Sequence, residues 1–102
     1  MIRHIVLVRF PPAVDPAARS DVMAGLEALR ETVPGLRAYA GGENISPEGL
    51  SAGFTHAFTM DFADEAARDA YLIHPAHVAA ATKLVAAADR EGGILVVDLR
   101  LP

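Results

Sequence analysis

The chain has 102 residues, of which 52% are hydrophobic, and its formal net charge at pH 7 is −4. This length predicts a single domain, residues 1–102, that can bury a core, and the lack of cysteine excludes disulfides and thiolate metal sites. The sequence has no basic cluster of the kind that would indicate a nucleic-acid partner. The apolar N-terminal stretch is too short to span a membrane or serve as a signal peptide. We therefore expect a cytoplasmic protein.

The first half of the chain predicts a strand, a helix and a second strand. IRHIVLVRF, residues 2–10, is rich in β-branched residues, as strands are. Asp15 followed by Pro16 is typical of a helix N-cap and first helical position. Apolar residues at helical spacing extend this helix to the VPG stop at residues 33–35. Residues 36–45 then predict a strand that loosens at its two glycines.

The second half predicts a third strand, a broken helix and a last strand. FTHAFTMDF, residues 54–62, alternates apolar and polar positions. Asp64 is expected to cap a short helix that ends near position 73. The proline of the His74-Pro75 step breaks that helix and starts another, which ends near position 89. ILVVDLRL, residues 94–101, predicts the last strand.

The element order βαββαβ predicts an α+β, ferredoxin-like fold with a four-stranded antiparallel sheet and helices on one face. The first and last strands, however, are apolar on both faces, whereas a half-buried antiparallel strand alternates apolar with polar. A second copy of the sheet is the simplest cover for the open face, so we expect a homodimer. The open-face side chains in these two strands are Ile5, Leu7, Leu95, Val97 and Leu99.

YLIHPAHVAA, residues 71–80, carries a tyrosine and two histidines around a proline, and three interpretations of it are open. A metal site is disfavoured because Pro75 puts His74 at an N-cap, and the spacing matches no zinc motif; we predict no bound metal. A structural role is the second interpretation, since His77 shares a helical stripe with Ala81 and Leu84, as core histidines do.

A small-molecule pocket is the third interpretation. His4 shares a strand face with Val6 and Val8, and His56 shares one with Phe58. If both faces look toward the helices, these histidines would surround one apolar space together with the polar residues of the helical stretch. Apolar walls with a few convergent polar groups are typical of ligand sites.

The sequence resembles the stress-responsive α/β-barrel domain family, also called Dabb proteins. The stretches that carry the resemblance are IRHIVLVRF (2–10), GGENISPEG (41–49), FTHAFTMDFADEAARDAYLIHPAH (54–77) and VVDL (96–99). The resemblance covers almost the whole chain and implies a ferredoxin-like subunit whose sheet packs on the sheet of a second copy. A plant polyketide cyclase of this family closes a linear tetraketide by an intramolecular aldol condensation without a cofactor, so the resemblance implies no cofactor here.

The Y-x-x-H-P-A-H match implies that His77 is a general base and Tyr71 an oxyanion donor. A histidine is a base near neutral pH, and a phenol can donate a hydrogen bond to a developing enolate. The resemblance implies pocket-wall positions, and the full set of predicted substrate-binding residues is His4, Val6, Val8, His56, Phe58 and Leu72. The substrate does not carry over, because alanines at 79–81 replace the aromatic bulk of the cyclase.

Two classes of function are therefore open. One is a cofactor-independent cyclase, isomerase or lyase that acts on a small polyketide-like or aromatic compound. The other is a non-catalytic, stress-associated homo-oligomer or binder of a small apolar or aromatic ligand. A third possibility, a relative of the cofactor-free monooxygenases that share this fold, is disfavoured because their motifs are not visible in the chain.

Overall fold

The computed structural model describes all 102 residues. In chain order the elements are β1 (Ile2–Val8), α1 (Pro16–Glu27), α2 (Leu29–Thr32), β2 (Leu36–Glu43), β3 (His56–Phe62), α3 (Glu65–Leu72), α4 (Pro75–Ala87) and β4 (Ile94–Arg100). The strands form one antiparallel sheet in the order β2-β3-β1-β4. The predicted ferredoxin-like fold is confirmed. None of the helices has both the length and the apolar character needed to cross a membrane.

The predicted helix starts are confirmed, each by a side chain that accepts a hydrogen bond from the first turn. Asp15 caps α1 and Asp64 caps α3 through their carboxylates, at 2.8 and 2.9 Å from the backbone nitrogens they bind. His74 caps α4, because its Nδ1 accepts from a backbone N–H at 3.1 Å. These short-range contacts involve residues two or three apart, which explains why the sequence alone reveals them.

The bounds of several elements differ from the predicted ones, mostly by one or two residues. β1 ends at Val8 and β3 begins at His56, because the Thr55 hydroxyl accepts the Phe10 N–H at 3.2 Å and replaces a ladder bond there. α4 ends at Ala87, since the next residue is extended. The first predicted helix is divided at position 28 into α1 and α2.

The sheet has one face under the helices and one open face. In β1, buried and half-buried residues alternate strictly, so His4, Val6 and Val8 face the helices. Ile5 and Leu7 face the other way, as predicted. On β4, the open-face side chains Leu95, Val97 and Leu99 are 42–47% exposed. This face carries an apolar strip that no element of the chain covers.

β4 is poorly covered on its helix side as well. Val96 pairs with Val6 in the register and faces the helices, yet its residue is 53% exposed. β4 is an edge strand, and all the buried residues of the sheet lie on β1, β2 and β3. An accessible strip therefore runs beside Val6 and His4 on the helix side of the sheet.

Candidate functional site

Tyr71 and His77 pack against each other where α3 meets α4. Their ring centroids are 4.3 Å apart with the planes tilted by 47°. The His74-Pro75 step turns the chain between the two helices, so a residue in the last turn of α3 meets one in the first turn of α4. Tyr71 is 1% exposed. Burial raises the pKa of its phenol, and nearby Tyr39 adds to the rise, so the hydroxyl keeps its proton at physiological pH.

His77 is held in one tautomer by the end of α3. Its Nδ1 lies 3.0 Å from the Leu72 carbonyl oxygen, and because a carbonyl only accepts, Nδ1 must carry the proton. In the neutral ring, Nε2 then has a free lone pair. Burial lowers the pKa of His77, which outweighs the opposite effect of the Leu72 hydrogen bond. The ring is therefore neutral near pH 7 and can accept a proton.

His4 joins this pair from the sheet. Its ring centroid lies 5.9 Å from that of Tyr71 in an edge-on arrangement, and the residue is 6% exposed. His4 Nδ1 lies 2.7 Å from Asp98 Oδ1 on the neighbouring strand β4. An ionised carboxylate only accepts, so this nitrogen donates and the ring orientation is fixed.

Asp98 and Arg68 are site residues that the sequence interpretation missed. Arg68 on α3 donates from Nη1 to Asp98 Oδ2 at 2.7 Å. Burial would raise the pKa of Asp98, but the hydrogen bonds from Arg68 and His4 outweigh it and hold that pKa below its usual range. One signal was available, since Asp98 is the single acid in ILVVDLRL and shares a strand face with Ile94 and Val96.

Most of the predicted apolar wall belongs to the core. Val6 and Phe58 are 3% exposed and Val8 has no exposed surface. Phe58 stacks on Tyr39 at a centroid distance of 5.9 Å. Leu72 is 41% exposed, and its contribution to the pair is the backbone carbonyl that binds His77. Because Val8 has no exposed surface, it could touch a ligand only if the core repacked.

His56 lies away from the other predicted polar residues. It pairs with Val8, whereas His4 pairs with Met60, which places the two histidines about 13 Å apart along the sheet. The His56 ring meets Phe10 edge-on at 5.0 Å, and its Nδ1 lies 3.0 Å from Thr55 Oγ1. Burial lowers the pKa of His56. The structure brings Tyr71, His77 and His4 together and leaves His56 out of that cluster.

The neighbouring cavities reflect the same separation. One cavity, of about 310 Å³, lies between α1 and β2 and is lined in part by Tyr39 and His56. Five surface cavities have volumes of about 310 to 490 Å³, and neither Tyr71 nor His77 lines any of these five. No group of three histidine, aspartate or glutamate side chains is arranged to hold a metal ion.

Comparison with known proteins gives a consistent family assignment. The sequence pattern of the stress responsive A/B barrel domain family matches residues 2–100. The stress-response A/B barrel domain-containing protein HS1 of Arabidopsis thaliana is 30% identical over 99 residues, which cover 97% of this chain and 88% of that protein. Olivetolic acid cyclase from Cannabis sativa is 22% identical over 77 residues, 76% of each chain.

Solved structures agree with the fold. A dimeric ferredoxin-like protein of unknown function from Jannaschia sp. CCS1 superimposes with a TM-score of 0.87. It is 35% identical, and the match covers 98% of both chains. The same architecture therefore occurs in a relative that is described as a dimer.

Proposed function

This chain belongs to the stress-responsive A/B barrel domain family, and we propose that it is a homodimeric, cofactor-independent acid–base enzyme that acts on a small polyketide-like or aromatic carbonyl compound. Cyclisation by aldol closure, isomerisation and retro-aldol cleavage all pass through an enolate. Each needs one base and one hydrogen-bond donor side by side. The observation that carries the proposal is the contact between Tyr71 and His77, with Nε2 of His77 left free to accept a proton.

His77 acts as the general base in this proposal. Its Nε2 removes a proton from the carbon next to the substrate carbonyl, and the electron pair of that C–H bond forms the enolate. In an aldol closure the enolate carbon attacks a second carbonyl of the same substrate, and the alkoxide takes the proton back from His77. The lowered pKa of His77 keeps the base unprotonated near neutral pH.

Tyr71 stabilises the enolate oxygen. Because burial raises the pKa of the phenol, Tyr71 donates a hydrogen bond and does not lose its proton to bulk base. The Tyr71 hydroxyl makes no hydrogen bond within the protein. Because no fully buried side-chain polar atom lacks a hydrogen-bond partner, this oxygen is not fully buried. The hydroxyl is therefore free to bind a substrate oxygen, which supports this role.

The ion network behind the pair supports a positioning role for His4. Asp98 binds the His4 ring, Arg68 binds Asp98, and the His4 ring borders Tyr71. Beside His4, the exposed Val96 marks the side from which a small molecule would approach. Fixed neighbours of this kind keep an oxyanion donor in one orientation.

The cyclase relative supports the reaction class. Olivetolic acid cyclase is named for a ring closure, and it aligns with 76% of this chain. The resemblance of the Y-x-x-H-P-A-H stretch, residues 71–77, implies the roles of Tyr71 and His77. The alanines at 79–81 give α4 small side chains near the pair. We therefore propose the class of reaction for this chain, and we do not propose the substrate of the cyclase.

Hydrogen exchange on a simple ketone tests the proposal. In D₂O, the protein should accelerate deuterium incorporation into the methyl group of acetophenone, followed by NMR, because this needs only the base and the oxyanion donor. His77→Ala should reduce the acceleration by about 10²–10³-fold and Tyr71→Phe by about 10²-fold. Lys83→Ala, on the exposed side of α4, is the matched control and should keep the full rate.

Equal rates for the wild type, His77→Ala and buffer would overturn the enzyme proposal. They would favour the second candidate, a non-catalytic binder or structural oligomer. Two observations support that candidate. Tyr71 is almost completely buried, and neither Tyr71 nor His77 lines any of the five cavities. In that case His77→Ala would lower the free energy of unfolding by about 1–3 kcal/mol, because the Leu72 carbonyl loses its donor.

The homodimer in the proposal is supported by the uncovered apolar strip and by the dimeric relative. Light scattering should give about twice the chain mass of 10.8 kDa. Substitution of Val97 by aspartate should weaken the dimer more than a charge change at Arg19, which lies on α1 away from the open face. A stable monomer at micromolar concentration would contradict this part of the proposal.

A further inference from the structure

We propose that residues 44–54, called the arm below, form a clasp between subunits: Ile45 and Leu50 become buried against the second copy of the chain that covers the open sheet face. The arm connects β2 to β3. Ile45 is 89% and Leu50 is 83% exposed, which makes them the two most exposed large hydrophobic side chains of the molecule. The inference rests on the homodimer proposed above.

The arm is a structured element. At its base, the Asn44 N–H donates to the Thr55 carbonyl at 2.8 Å, and the Asn44 side chain donates to the Phe54 carbonyl at 3.0 Å. The Asn44 carboxamide oxygen also accepts the Ser46 N–H at 2.9 Å. These bonds order the base of the arm, while Ile45 and Leu50 remain exposed to solvent. Such preorganisation reduces the entropic cost of binding a partner.

A cationic clamp fixes the far side of the arm to the sheet. The Arg9 guanidinium lies 5.2 Å from the centroid of the Phe54 ring and donates to the Ala52 carbonyl at 3.5 Å. Ala52 has a φ of 50°, in the left-handed region that non-glycine residues rarely occupy. This costly backbone conformation occurs at the residue whose carbonyl Arg9 binds.

The arm and the open face form one continuous apolar surface. A cavity of about 420 Å³ lies beneath the arm and is lined by arm residues Leu50 and Phe54 together with open-face residues Leu7, Ala57 and Leu95. The opposite end of the open face is polar, because Arg3 and Asp61 form an ion pair there at 2.9 Å. The apolar half of the face is therefore the half that the arm borders.

The dimensions of the sheet favour the same occupant. Three strands of seven residues and one of eight give a face of roughly 23 by 19 Å, a projection of about 440 Å². A stable interface buries about 800 Å² of accessible surface on each partner. Because side chains make the face uneven, its accessible surface is larger than its projection, which accounts for part of the difference. The arm adds further apolar area at the edge of the face. A second copy of the chain fits this surface, since a two-fold dimer uses the same patch on both subunits.

Thiol protection tests the clasp directly, because the chain has no cysteine. Leu50→Cys introduces a single thiol in the arm, and Val85→Cys introduces one on the outer face of α4, where the residue is 62% exposed. Reaction with Ellman's reagent is followed at concentrations above and below the dimer dissociation constant. We expect the Leu50→Cys thiol to react at least about tenfold more slowly in the dimer, while the Val85→Cys thiol reacts at one rate throughout.

Charge substitutions separate failure of the clasp from failure of the dimer. Ile45→Asp and Leu50→Asp should each raise the dimer dissociation constant by more than about tenfold in sedimentation experiments, because each change occurs twice per dimer; Val85→Asp should not. If Val97→Asp dissociates the dimer and the arm variants do not, the clasp is wrong and the dimer stands. If Val97→Asp leaves the dimer intact, the open-face dimer itself is wrong.

Discussion

His4 and His56 occupy the same face of the same sheet and yet have different environments. His4 donates to a carboxylate that an arginine also binds, and its ring borders Tyr71. His56 bonds only to a threonine hydroxyl beside it in the chain and packs on Phe10. The period of a strand determines the face on which a side chain lies, but the position along the strand determines its neighbours.

This difference assigns chemistry to one end of the sheet. Near His4, the two helix segments that flank the His74-Pro75 step bring Tyr71 and His77 onto the sheet. Near His56, the neighbours are α1 and the extension of β1. The three experiments below test whether the two ends differ in activity, in stability and in titration.

The largest expected difference is in catalysis. In the acetophenone exchange assay, His56→Ala should keep the rate within about twofold, whereas His77→Ala should lose about 10²–10³-fold, because only His77 lies beside the proposed oxyanion donor. Deuterium incorporation by NMR measures both. Equal losses for the two variants would show that one substrate cavity spans the whole helix-side face, and the division into two ends would be wrong.

The second difference is in stability. Asp98→Ala should lower the free energy of unfolding by about 1–3 kcal/mol, because it leaves the buried His4 and the Arg68 guanidinium without their shared acceptor. Asp21→Ala, an exposed position on α1, is the control and should change it by less than about 0.5 kcal/mol. Urea denaturation measures both values.

A double-mutant cycle sharpens this second test. Combining His4→Ala with Asp98→Ala should reveal a coupling energy of about 0.5–3 kcal/mol, whereas His56→Ala and Asp98→Ala should be additive. Additivity within the His4 pair would mean that the 2.7 Å contact contributes nothing to stability.

The smallest expected difference is in pH dependence. Burial lowers the pKa of both His77 and His56, so as the pH falls the unfolded chain takes up these protons before the folded protein does. Stability is therefore fully present above about pH 6.5 and declines below it, through the lowered pKa of the folded state.

Glutamine variants show which histidine is responsible. His77→Gln and His56→Gln should each flatten the acid side of the stability curve, because burial lowers the pKa of both rings. Denaturation at a series of pH values measures the slopes, with Lys83→Gln as the control. An unchanged slope in His77→Gln would contradict the assignment of a lowered pKa to that ring.

Local patterns were enough to predict the elements of the fold. The capping residues Asp15, Asp64 and His74 act on backbone groups two or three residues away, so their effect can be recognised in the sequence. The two-residue period of the strands predicted which side chains of β1 face the helices. Tyr71 and His77, whose rings are in contact, lie only six positions apart in the chain. The family resemblance of this stretch was enough to predict the pair.

Tertiary structure alone decided which distant residues meet. His4 and Asp98 are 94 positions apart, and their contact depends on the register between β1 and β4, which no local pattern encodes. The separation of His56 from the Tyr71 cluster, and the exposure of Val96 on an edge strand, likewise follow from where the helices cross the sheet. Propensity and periodicity act over a few residues, whereas these contacts arise from packing that involves the whole chain.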